Sequence, residues 1–262
     1  MHVRNVAKER LEAGEVALGV GLRQARTADT GKLMRTAGFD WLFIDMEHNS
    51  MDLDTAVQIS VAAQDAGVTP IVRVPGWERF HATRALDGGA QGIVVPHVDT
   101  PELAAEMVAH CKYPPLGKRS VTSALPQIDF RGGPLQEVTE ALNQSGLLAV
   151  MIETPLAVAN AERIAAVPGV DILLVGFSDL SMEMGIPGQV DGPEMQAVAE
   201  RVVEAATRHG KFAGFGGIGS MEVMERFIAS GMRFVLCGSD LTIFLSAAKE
   251  RTARLRQGTT TA

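Results

Sequence analysis

Cysteine is nearly missing from this chain: Cys111 and Cys237 are the only two among 262 residues. Their separation matches neither a zinc-type spacing nor a disulfide framework. Cys111 closes an expected helix and Cys237 an expected strand, where buried free thiols are a plainer reading than catalysis. Basic charge is also short. Lys and Arg number 24 against 31 Asp and Glu, for a net charge of -7 and a pI of about 5.4. No stretch gathers the cations, which excludes nucleic acid as a partner. Anion binding has to be local, through single arginines or helix N-termini. No apolar run approaches the roughly 20 residues of a membrane span, and no basic segment followed by an apolar one opens the chain. The expectation is a cytoplasmic protein with no membrane partner.

What is present is an ordinary globular composition, 46% hydrophobic and 21% charged, cut into short apolar runs. An amphipathic helix is expected over residues 2–14. Strands are expected at Val16–Val20, Asp40–Asp45, Pro70–Val74, Gln91–Val95, Leu147–Ile152, Asp171–Val175, Lys211–Phe215 and Arg233–Cys237, with helices between them. The segment Lys112–Pro134, rich in Pro and Gly, is too long for a simple turn and reads as a functional or mobile loop. Asp240–Arg256 reads as a terminal helix and 257–262 as a disordered tail. Continuous apolar strands are buried on both faces. Eight of them alternating with helices predict an α/β fold, a single (β/α)8 TIM barrel spanning residues 1–256. A doubly wound sheet is the alternative, but no Gly-rich dinucleotide turn follows an early strand.

Charges cluster where these apolar runs end, and in such a barrel that is the face that carries chemistry. Glu153 ends the fifth strand and Asp179 follows the sixth. Each taken alone caps a helix as readily as it binds anything; together they favour a hard divalent cation, which takes one or two protein carboxylates. Asp45 and His48 follow the second strand, where a carboxylate can orient an imidazole for proton transfer. Arg73 interrupts the third strand and needs an anion there. That anion is either a substrate carboxylate or an internal partner, Asp45 or Glu47. Arg23, after the first strand, reads as a contact for a second carboxylate or as a solvated side chain. His97 reads as structural, and Gly214–Gly219 as a roomy pocket wall. No lysine ends the fifth or sixth strand, so no Schiff base is expected.

The segments 37–49 (AGFDWLFIDMEHN), 72–75 (VRVP), 86–96 (LDGGAQGIVVP), 113–121 (YPPLGKRSV), 152–155 (IETP), 165–181 (AAVPGVDILLVGFSDLS) and 238–244 (GSDLTIF) together resemble the HpcH/HpaI aldolases, metal-dependent pyruvate aldolases. The resemblance implies Glu153 and Asp179 as ligands of Mg²⁺, Mn²⁺ or Co²⁺. It implies Arg73, with Ser178 and Asp179, as contacts of a small 2-oxo acid, and Asp45–His48 as the proton-transfer dyad. It implies that Asp87 reaches the site of a neighbouring subunit, within a homohexamer that exchanges the last helix. Arg119 is a candidate contact for a distal substrate group. The implied reaction is reversible aldol cleavage of a 4-hydroxy-2-oxo acid to pyruvate and an aldehyde. The wider superfamily adds acyl-CoA lyases and enolpyruvate-forming decarboxylases as alternatives, and a non-enzymatic 2-oxo acid binder is a third. Met151, Phe177–Ser178 and the run from Gly19 to Arg23 depart from the family pattern, and these departures bear on the acceptor pocket.

Overall fold

The computed structural model of the chain describes residues 3–122 and 124–258. Eight parallel strands close into a barrel in sequence order. They are β1 (Ala17–Leu22), β2 (Trp41–Asp45), β3 (Thr69–Arg73), β4 (Gly92–Val95), β5 (Leu147–Ile152), β6 (Ile172–Gly176), β7 (Phe212–Gly216) and β8 (Phe234–Ser239). Each is the expected strand to within two residues at either end. The N-terminal helix is shorter than expected, Val6–Glu12, capped by Asn5. The expected tail lies outside the described residues except for 257 and 258, which continue the last helix, Asp240–Gly258.

Side-chain parity along the strands decides what reaches the centre. Trp41 and Phe43 of β2, Ala149 and Met151 of β5, and Ile172 and Leu174 of β6 share one core inside the barrel. Their neighbours Leu42, Ile44, Leu148, Val150, Leu173 and Val175 belong to a second core, between the strands and the helices. The indole of Trp41 stacks on Phe234 with ring centroids 3.9 Å apart. Gly19 is required beside it, because a Cβ there would collide with the indole. Ala7 and Leu11 of the first helix join the inner core. Each large apolar side chain fully buried in this layer contributes about 1.5–3 kcal/mol. Continued upward, the same parity puts Asp45, Arg73, Glu153 and Gly176 at the C-terminal end of the barrel interior.

Three local readings change. The expected helix after β5 is two five-residue helices, Pro155–Ala159 and Ala161–Ala165, separated at Asn160. A helix that the sequence pattern did not show, Phe177–Glu183, starts directly after β6. Asp179 therefore sits in a first helical turn, not at a strand end. The 112–134 segment is anchored in part: Tyr113, Leu125 and Ile128 form a buried cluster with Val138, Ala141 and Leu142.

Candidate active site

A cavity of about 1090 Å³ opens at the C-terminal ends of the strands. Its floor is the top of the inner core, Phe43, Met151 and Leu174, and its charged wall includes Asp45, His48, Arg73, Glu153 and Asp179. Part of its rim comes from the last helix, with Thr242, Ile243 and Ser246.

Arg73 is one of the few charged side chains buried here. β2 and β3 pair with Asp45 opposite Arg73, and that register settles which anion the arginine has. Its Nε donates to Asp45 Oδ1 at 3.0 Å and its Nη2 to Oδ2 at 2.7 Å. Nη1 lies 2.9 Å from Glu47 Oε2, off the hydrogen-bond direction, so that oxygen is buried with no hydrogen bond. The guanidinium also stands over Phe43 at 4.9 Å. Burial pushes the Asp45 carboxyl up, but the hydrogen bonds and charge of Arg73, with two backbone donors, outweigh it and hold Asp45 below the usual carboxylate range.

Those two donors are the N–H groups of Glu47 and His48, at 3.0 and 3.2 Å from Asp45 Oδ1. The expected carboxylate–imidazole dyad is therefore not formed through side chains. Asp45 faces Arg73 and fixes His48 through its backbone. The His48 ring is 54% exposed and approaches only Glu47, at 3.8 Å, so neither ring nitrogen is hydrogen-bonded to the described residues. Glu47, two residues beyond Asp45, is drawn into the same cluster by Arg73.

Glu153 is 1% exposed. Its Oε2 accepts the backbone N–H of His97 at 3.0 Å, and His97 Nδ1 lies 3.4 Å from the same oxygen. His97 adopts φ 51° to do this, a conformation unusual for a residue with a Cβ. No pattern in the sequence marked His97 for this position. The one available signal is its place directly after Pro96 at the end of β4. Gly176 leaves the room Glu153 needs, since a Cβ there would lie 2.5 Å from Oε1. Burial pushes the Glu153 carboxyl above its ordinary value; His97 and the charge of Arg73 pull it back, and the charge of Asp179 pushes it further up.

These two carboxylates fit a hard divalent cation. Two anions share a partly desolvated cavity, and neither Glu153 Oε1 nor either oxygen of Asp179 accepts a hydrogen bond from the described residues. Free carboxylate oxygens without hydrogen-bond donors are what Mg²⁺ or Mn²⁺ takes, filling its other positions with water or substrate oxygens. A cage of three or more acidic, histidine or cysteine side chains is not found among the described residues.

The remaining candidates fall elsewhere. Ser178 lines the cavity, with its hydroxyl donated to Gly217 O at 3.2 Å. Asp87 and Arg119 pair with each other at 2.6 Å, with Arg119 over the Tyr113 ring at 4.6 Å. Neither lines the cavity of its own chain. Cys111 is buried, and burial pushes its thiol up to about 12. No described helix is long and apolar enough to cross a membrane.

The HpcH/HpaI aldolase/citrate lyase family model matches residues 24–247. The chain is 37% identical over 250 residues to a 4-hydroxy-4-methyl-2-oxoglutarate aldolase of Hapsidospora irregularis, covering 94% of this chain and 93% of that one. It is 33% identical to a hydroxypyruvate/pyruvate aldolase of Agrobacterium fabrum, covering 97% and 94%. The crystal structure of an HpcH/HpaI aldolase from Desulfitobacterium hafniense superposes with a TM-score of 0.91 at 30% identity, covering 97% of each chain. The chain is an enzyme of the carbon–carbon lyase class and belongs to the HpcH/HpaI aldolase/citrate lyase family.

Proposed function

We propose that this enzyme catalyses the reversible aldol cleavage of a 4-hydroxy-2-oxo acid to pyruvate, or a close 2-oxo acid, and a carbonyl fragment. A divalent cation, Mg²⁺, Mn²⁺ or Co²⁺, is held by Glu153 and Asp179. The observation that carries the reading is the buried Glu153 beside Asp179, with Glu153 Oε1 and both Asp179 oxygens free of donors from the described residues, in a cavity that also holds Arg73 and an uncommitted imidazole. Relatives named for aldol chemistry on 2-oxo acids support it.

When bound, the cation withdraws electron density from the 2-oxo group as a Lewis acid. The protein's own groups do the rest. Arg73, locked by Asp45, keeps its fork fixed and turns positive charge toward the oxo end of the substrate. His48 takes the 4-hydroxyl proton in cleavage and returns it in synthesis. Asp45 serves both, clamping Arg73 with its two oxygens and setting the backbone that carries His48. Phe43, Met151 and Leu174 keep the floor apolar. Asp87 and Arg119 stand outside this cavity; Asp87 would act at the site of a neighbouring subunit. Exposed Ile243, Phe244 and Leu245 on the last helix support association with further copies of the chain.

The test is exchange of the pyruvate methyl protons in D₂O, followed by NMR, with Mg²⁺ or Mn²⁺ and again with EDTA. Exchange is expected with metal, and is expected to disappear with EDTA and in Glu153→Ala. A metal-loaded protein that exchanges nothing would sink the pyruvate reading and move thioester cleavage to the front.

A further inference from the structure

The cavity wall has a second arginine, and the chemistry above does not use it. Arg23 follows β1 and lines the cavity with Asp45, His48 and Arg73. Its backbone is held from two sides. Its N–H donates to Asp240 Oδ1 at 2.8 Å, and the next two N–H groups donate to Asp240 Oδ2 at 2.9 and 2.6 Å. Its carbonyl accepts from Asn49 Nδ2 at 3.3 Å. The side chain is not held in this way. Nη1 stops 3.6 Å from Asp45 Oδ2, outside hydrogen-bond reach, because Arg73 already takes both oxygens of that carboxylate. The guanidinium makes no hydrogen bond to the described residues, and the side chain is 42% exposed. Three residues on, Arg26 shows the contrast: its Nη2 donates to Asn49 Oδ1 at 2.6 Å and Ser50 Oγ at 3.1 Å. A fixed backbone carrying a guanidinium that makes no hydrogen bond of its own leaves a planar fork available to a carboxylate.

Its place on the barrel says which carboxylate. Glu153 and Asp179 follow β5 and β6, across the closed barrel from β1 and β2. A substrate whose 2-oxo end sits at the cation that Glu153 and Asp179 would hold would extend toward β1 and β2. The carbon whose hydroxyl faces His48 then presents its other substituent to Arg23.

We propose that Arg23 selects substrates bearing a carboxylate on C4, so that both fragments released are 2-oxo acids. This rests on the aldol reading above and names its substrate class. In cleavage, the 4-hydroxyl proton passes to His48 and the C4–O bond becomes a carbonyl. The C3–C4 bond breaks, its electron pair moves into C2–C3 and onto the 2-oxo oxygen, and C3 takes up a proton to become a methyl group. No oxidant or further reactant is needed. The C4 carboxylate stays with the departing fragment, so Arg23 holds the same group before and after bond cleavage.

Two unreactive analogues test this. 2-Oxoglutarate and 2-oxopentanoate have the same chain length, lack the 4-hydroxyl, and differ only in a terminal carboxylate against a methyl. Calorimetry on the Mn²⁺-loaded protein should show 2-oxoglutarate binding about 10- to 100-fold more tightly. Arg23→Ala should remove most of that preference and Arg23→Lys should keep part of it. Equal affinities in the wild type, or a preference that survives Arg23→Ala, overturns the proposal. Pyruvate exchange run on the same wild-type sample separates the two claims. Absence of exchange removes the aldol reading itself, and exchange with equal affinities removes the role of Arg23 alone.

Discussion

At the N-terminal end of the barrel, Lys112 and Asp40 are buried with their partners complete; at the C-terminal end, Glu153 and Asp179 are not. Lys112 Nζ donates to Asn143 O, Gly146 O and Asp171 Oδ2 at 3.3, 2.7 and 2.9 Å. Asp40 accepts from Arg10 Nε at 2.6 Å and from the backbone of Leu18 at 2.9 Å. Asn5 bridges the carbonyls of Gln91 and Ser145 at 3.2 and 2.8 Å. These groups fasten the strand starts to the surrounding chain. At the other end, Arg73 and Asp45 complete each other, but they stand beside carboxylates, an imidazole and an arginine that have few partners or none. Charge with all its partners holds a fold together, and charge without them is available to a ligand.

The sharpest way to break this contrast is Glu153→Gln. Metal-dependent turnover should fall about 1000-fold or more, while the metal-free melting temperature should hold or rise. Burial disfavours the ionised form of Glu153 in the metal-free fold, and the neutral amide relieves that cost while keeping an acceptor for His97. A clear drop in metal-free stability would mean that Glu153 is a structural group after all.

Lys112→Met tests the other end. It takes the cationic partner from Asp171, which keeps only the Leu148 N–H among the described residues, and the Lys112 donor from two carbonyls, which should cost about 3–5 kcal/mol, or roughly 10 °C in Tm. The rate of the folded enzyme at moderate temperature should stay within about twofold of the wild type. Thermal melts beside rate measurements decide it, and a large loss of rate without loss of stability would contradict the division.

Gly176→Ala sharpens the comparison inside the site. The backbone there has φ -91°, which alanine adopts readily, so the consequence is the displaced Glu153 carboxylate. Mn²⁺ affinity, read by calorimetry or electron paramagnetic resonance, should weaken about 10- to 100-fold. Unchanged affinity would show that Glu153 does not need that space. The smallest effect is expected for His97→Gly, which relaxes the positive φ while keeping the N–H that Glu153 accepts. Stability should rise by up to about 1 kcal/mol in chemical denaturation. A fall would show that the ring, not the turn, is what matters.

Several elements were legible from residues alone. The strand Leu147–Ile152 has the expected bounds, and the helices Pro101–Cys111 and Met221–Ala229 fall between strands as expected, because caps and apolar runs are local signals. The helix Phe177–Glu183 was not legible. Seven residues are too few for a helical period to show, and no turn residue separates it from β6. The pairing at Arg73 was only half legible. The sequence offered Asp45, Glu47 or a substrate as its anion, and the register of two strands 28 residues apart chose.

The sequence by itself determined the barrel and the clustering of charge on one of its faces. Strand length, apolar continuity and chain-end residues are properties of neighbouring positions, and eight such units allow few other closures. Tertiary structure alone decided that Asp45 serves Arg73 and not the His48 ring, that His97 turns its backbone to Glu153, that Asp87 and Arg119 pair away from the cavity, and that Arg23 is left uncommitted inside it. Each of these depends on which atoms meet across strands distant in the chain, and on which partner takes a carboxylate first.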